Sequence, residues 1–103
     1  MEMDVIVLKI KILSLGAAER YALRRMVTAA HNDLLAEVPD LRMVIEEVRD
    51  AGQIGRYSAV LVLPTLVINE KTVCSGRFPT REEIGRWLTQ AVQDARELLN
   101  PIE

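Results

Sequence analysis

The sequence predicts an α/β domain with elements in the order βαβαββα, and three observations predict it. Near the start, a β-branched stretch, a long periodic helix and a second β-branched stretch follow one another, which is the pattern of a parallel crossover. Past the middle, the run LVLPTLVINEKTVCSGR (residues 61–77) sets β-branched residues on both sides of Asn69-Glu70, which is the pattern of a hairpin. Thr80 and Glu83 then stand at capping-box spacing ahead of a strongly amphipathic stretch, which predicts a C-terminal helix.

Each element has its own justification. Residues 5–13 (VIVLKIKIL) form a strand in which Ile6, Leu8, Ile10 and Ile12 occupy one face, while Val5 and Val7 share the other with Lys9 and Lys11. A strand apolar on one whole face and part of the other belongs inside a sheet covered by helices. Residues 18–38 read as one helix, because Leu23, Met26, Val27, Ala30, Leu34, Leu35 and Val38 recur at three- and four-residue steps. Pro39 stops it by pushing Val38 out of the α region. Residues 41–48 (LRMVIEEV) form the second strand, placed near a sheet edge by the adjacent Glu46 and Glu47. Asp50 caps a short helix over residues 51–59, weakened by Gly52 and Gly55. The apolar run 60–63 meets Pro64 at the entrance to the third strand, where a missing N–H is tolerated. Asn69 supplies the positive φ of the tight turn, and Ser75-Gly76-Arg77-Phe78-Pro79 leads out of the hairpin. The last helix opens at Thr80, presents Ile84, Trp87, Leu88, Ala91, Val92, Ala95, Leu98 and Leu99 on one face, and ends at Asn100-Pro101.

Composition narrows the function. The chain has 103 residues, half of them apolar, which suits one domain over residues 1–103. Thirteen basic against fifteen acidic residues leave a net charge of −2, and the aromatics are few: Tyr21, Tyr57, Phe78 and Trp87. This balance argues against nucleic-acid binding by a broad basic face or by base stacking. Lys9 and Lys11 break the first apolar run, so it is neither a signal sequence nor a membrane span, and a cytoplasmic location is expected. A single cysteine staples nothing internally, which fits a reducing compartment.

Three stretches carry a family resemblance: KIKILSLG (residues 9–16), LPTLVINEKTV (residues 63–73) and SGRFPTREEI (residues 75–84). With the element order, they make the chain resemble the thioredoxin-like superfamily, in particular its small archaeal and bacterial redox-disulfide, glutaredoxin-like proteins. The resemblance implies a thioredoxin-like fold, a four-stranded mixed sheet flanked by helices. It also implies a cis-proline at Pro64 set against the active-site turn, with the backbone of Leu63 available to an extended peptide. A weaker resemblance, in general layout and the Pro-Thr-Leu step, is to a thioredoxin-like clock-protein family that acts by binding other proteins. The departure lies in the turn after the first strand. Where the family carries Cys-x-x-Cys at a helix N-terminus, this chain reads GAAER, with Ala17 and Arg20 at the thiol positions and Ala18 and Glu19 between. Dithiol exchange at that turn is chemically impossible.

The candidate site therefore comprises Gly16, Ala17, Ala18, Glu19, Arg20, Leu63, Pro64, Gly76 and Arg77, read as a binding surface for a protein or peptide without a cofactor. Arg20, Arg24 and Arg25 oppose the dipole at the first helix's start, so they read either as a solvated face or, with the N–H groups of Gly16, Ala17 and Ala18, as a place for an anion or an acidic partner. Cys74 is the one weak catalytic candidate: a lone thiol acting through glutathione or an intermolecular disulfide, or else a small apolar residue packed in its strand. His31 has no second His or Cys near it in sequence and reads as a boundary residue rather than a metal ligand. Self-association is a further expectation, through the apolar second face of the first strand and Trp87.

Overall fold

The computed structural model describes residues 5–54, 56 and 63–99. The elements are β1 (Val7–Leu13), α1 (Ala17–Leu34), β2 (Arg42–Val48), α2 (Ala51–Ile54), β3 (Thr65–Ile68), β4 (Lys71–Ser75) and α3 (Arg81–Leu99). They follow the predicted order βαβαββα. The sheet order is β2-β1-β3-β4, with β1 parallel to β2 and antiparallel to β3, and β3 antiparallel to β4. This is a four-stranded mixed sheet.

The alternation in β1 sorts its side chains. Leu8, Ile10 and Ile12 are buried under α1 and α3 with Leu23, Val27, Leu66, Ile68, Ile84 and Leu88. Each such side chain removed from water is worth about 1.5–3 kcal/mol. On the other face, Leu13, Val48, Ile54 and Val67 form a smaller core at one end of the sheet, with Leu63 packed against it. Val5, Val7 and Lys9, nearer the other end of that face, stay exposed.

β1 and β2 start at Val7 and Arg42 rather than at residues 5 and 41. α2 ends at Ile54 rather than running to residue 59, and Arg56 stands in a turn, its N–H donating to the Gln53 carbonyl. Three further places differ from expectation. α1 is regular only to Leu34, four residues short of Val38. Residues 35–37 form a turn in which the N–H groups of Glu37 and Val38 both donate to the Leu34 carbonyl, at 3.0 and 2.9 Å. Val38 and Leu41 are buried beyond the helix end, which is why the apolar periodicity outlasts the helix. The turn of the hairpin places both Asn69 (φ 50°) and Glu70 (φ 67°) in the left-handed region, although the sequence marks only Asn69 for it. Between Leu66 and Val67 the β3–β4 register shifts, an irregularity the sequence does not announce. The predicted helical residues 55 and 57–59, the apolar residues 60–62 and the helix end at Asn100-Pro101 lie outside the described residues. No helix among the described residues is long and apolar enough to cross a membrane.

Candidate functional site

The strand registers assemble one end of the sheet. Leu13 pairs with Val48 on one side and Thr65 on the other, and Thr65 pairs with Ser75. The loops that leave these residues therefore gather there: Ser14 to Ala17 after β1, Leu63-Pro64 before β3, and Gly76-Arg77 after β4.

The turn after β1 is built from the inside. Ser14 is fully buried, its N–H donates to the Val48 carbonyl at 3.2 Å, and its hydroxyl donates to Glu19 Oε1. Gly16 is the N-cap of α1, with extended backbone (φ −91°, ψ 130°) and no side chain to cap the helix. Its own N–H donates to Ser14 Oγ at 3.3 Å, so of the three backbone donors expected to be bare, Gly16's is taken. The N–H groups of Ala17 and Ala18 lie in the first turn, where a helix offers no internal acceptor, and both residues are exposed.

Arg20 departs furthest from a solvated face. It is only 7 % exposed. Its Nη1 donates to the Ser14 carbonyl at 2.9 Å and its Nε to Glu47 Oε1 at 3.3 Å. Arg24 Nη1 donates to Glu47 Oε2 at 3.1 Å, so one carboxylate at the end of β2 holds two of the three arginines. Arg25 lies over the Tyr21 ring, 5.7 Å from its centre. Of the cluster, Arg20 is thus held inside, while Arg24 and Arg25 stay exposed at the surface. Glu47 is the residue that sequence reasoning missed. Its only signal is its place beside Glu46 at the strand end nearest the helix start.

The opposite side of this end is formed by the hairpin. The Leu63–Pro64 peptide bond is cis. Pro64 is buried and Leu63 half-buried. Gly76, in the left-handed region at φ 84°, donates its N–H to the Pro64 carbonyl at 2.9 Å, which fixes the loop after β4 against the proline. Thr65 Oγ1 and Ser75 Oγ share a hydrogen bond of 3.0 Å across the same pair of strands. Arg77 chelates Glu83 at the start of α3, Nη1 to Oε1 and Nη2 to Oε2, both at 2.9 Å. That fork holds the Glu83 carboxyl down at about 2 from 4.5, with the Thr80 N–H adding to the effect, and raises the Arg77 guanidinium.

Residues 8–89 match the family model of the thioredoxin domain. The chain belongs to the thioredoxin domain family. Among curated proteins none matches it.

In this thioredoxin domain, the positions that the family resemblance assigns to the two thiols are an exposed Ala17 and a buried, ion-paired Arg20. The thiol that remains, Cys74, sits opposite Leu66 in the hairpin, 6 % exposed, within the main core. Its Sγ donates to the Arg77 carbonyl at 3.5 Å. His31 Nε2 lies 3.1 Å from the Leu41 carbonyl and ties α1 to the start of β2. No three His, Cys, Asp or Glu side chains among the described residues gather as a metal site. A hollow of about 490 Å³ between the hairpin and α3, lined in part by Ile68, Val73, Trp87, Ala91 and Leu98, shares no residue with the turn after β1.

Proposed function

We propose that this thioredoxin domain is a noncatalytic binding module that takes a protein or extended peptide at the end of the sheet, against Gly16 to Arg20, Leu63-Pro64 and Gly76. The observation that carries the reading is Arg20. A guanidinium stands at the second thiol position, drawn inward onto Ser14 and Glu47, and it braces the turn in place of a disulfide. A side chain so held has no redox chemistry, while the exposed Ala17 and Ala18 leave a small, smooth surface with unpaired backbone donors beside it. Main-chain hydrogen bonding to a peptide needs no thiol.

The burial of Cys74 weighs against the reading in which it acts alone as a thiol-disulfide or glutathione-linked enzyme, because a thiolate must be reached to react. Two measurements test the proposal together. A photo-crosslinking residue at Ala17 captures a partner from native extract, whereas the same residue at Thr89, on the exposed side of α3, does not. Reduction of insulin disulfides at a rate comparable to a dithiol thioredoxin, abolished by Cys74→Ser, overturns it.

A further inference from the structure

The two edges of the sheet are β2 and β4. The β4 edge carries two of the devices by which sheets avoid one another: a register shift against β3 and an exposed lysine, Lys71. β2 has neither. Its pairing with β1 is continuous from Arg42 to Val48, and it contains no proline, glycine or lysine. The Arg42 N–H donates to the Ile6 carbonyl at 2.8 Å, and the Val48 carbonyl accepts from Ser14, so the even-numbered residues spend their backbone groups on β1. The N–H and C=O groups of Met43 and Ile45 consequently point out of the sheet, and no described strand flanks them. On the exposed face of the same strand stand Arg42, Val44 and Glu46. Val44 is 57 % exposed, Val7 beside Arg42 is 46 % exposed, and neither Arg42 nor Glu46 has an ion-pair partner among the described residues.

We propose that two copies of this chain join through β2, antiparallel, with Val44 on the two-fold axis, to make one continuous eight-stranded sheet. In that register Met43 of each copy exchanges hydrogen bonds with Ile45 of the other, and those are the residues whose backbone groups face outward. Val44 meets its own copy in the close, non-hydrogen-bonded pairing. Arg42 of each copy stands opposite Glu46 of the other, twice over, which is the self-complementarity that a two-fold interface requires. The sequence selects this register over its neighbours. Sliding by one residue sets opposite faces of the two strands together. Sliding by two sets Arg42 or Glu46 against Val44, and sliding by four sets Arg42 against Arg42 or Glu46 against Glu46. Only the register centred on Val44 joins both charges to their opposites.

Sedimentation equilibrium of the full chain from micromolar to millimolar concentration tests this, with circular dichroism confirming that each surface variant is folded. The wild type shows a monomer–dimer equilibrium. Arg42→Glu and Glu46→Arg, each alone, put like charges face to face at both symmetry-related pairs and weaken association by about tenfold or more. The double exchange R42E/E46R restores it, and the two single variants mixed together associate where neither does alone. A wild type that stays monomeric throughout the range, with its edge taken by a foreign strand or left open, overturns the proposal. So does an Arg42→Glu variant that dimerises as the wild type does, or a double exchange that fails to recover association.

Discussion

α3 begins in a closed structure: the Thr80 N–H donates to Glu83 Oε1 at 2.9 Å, the Glu83 N–H donates to Thr80 Oγ1 at 3.1 Å, and Arg77 clamps the same carboxylate. α1 begins on a glycine with no side-chain cap, followed by two exposed alanines. One helix start is completed by its own first turn. The other is braced from beneath, by Glu19 on Ser14 and by Arg20 on Ser14 and Glu47, while its outer surface stays bare. The difference teaches where stability and accessibility part company. At α3 the box occupies the N–H groups of Thr80 and Glu83 from within the first turn, whereas α1, whose N-cap Gly16 has no side chain to do this, is stabilised from its inner side instead.

The largest way to break this contrast is Arg20→Ala. The change leaves the Ser14 carbonyl without its guanidinium donor inside the protein and Glu47 with Arg24 alone, and a loss of about 2 kcal/mol in unfolding free energy is expected by urea titration. Thr80→Ala opens the closed end, at a cost of about 1 kcal/mol read the same way. The acid limb of stability sharpens the point. The Glu83 carboxyl is lower folded than unfolded, so its contribution is complete above about 4.5 and is lost as pH falls toward about 2. Glu83→Gln removes that part of the pH dependence, and thermal melts between those values show the slope flatten. The smallest effect is the converse experiment. At Gly16 an added Cβ meets nothing closer than Glu19 Oε1 at 3.8 Å, so Gly16→Ser supplies the missing cap and gains about 0.3 kcal/mol. If the proposed function is right, it also weakens crosslinking from Ala17.

The capping box of the closed helix start was legible in the sequence, because Thr80 and Glu83 meet by spacing alone, whereas its Arg77 clamp was not, since the sequence reads Arg77 as part of the binding surface. The braced one was not. Arg20 reads as a surface charge until β2 brings Glu47, twenty-seven residues later, beneath it. That arrangement depends on register, which hydrophobic patterning leaves open at strand ends. The order of elements and the hairpin were readable for the opposite reason: they follow from local β-branched runs and one polar turn. The end of α1 was misjudged because burial of Val38 and Leu41 continues the helical rhythm after the helix itself has turned. Pro39 marks the last place the helix could stop, not the place it does.

The hairpin's turn has one more consequence. Asn69 grips β1 by both its side chain and its backbone: Lys9 N–H donates to Asn69 Oδ1 at 2.8 Å, and Asn69 N–H donates to the Lys9 carbonyl at 2.7 Å. Beyond Lys9, toward Val7, β1 has only β2 beside it among the described residues, whereas at Leu13 the sheet is four strands wide. The pairing of β1 therefore grows along its length, from one partner strand at Val7 to two at Leu13. The loops of the candidate site hang from the broad end, so a partner docking there, if the proposed function is right, meets the most fully paired part of the sheet.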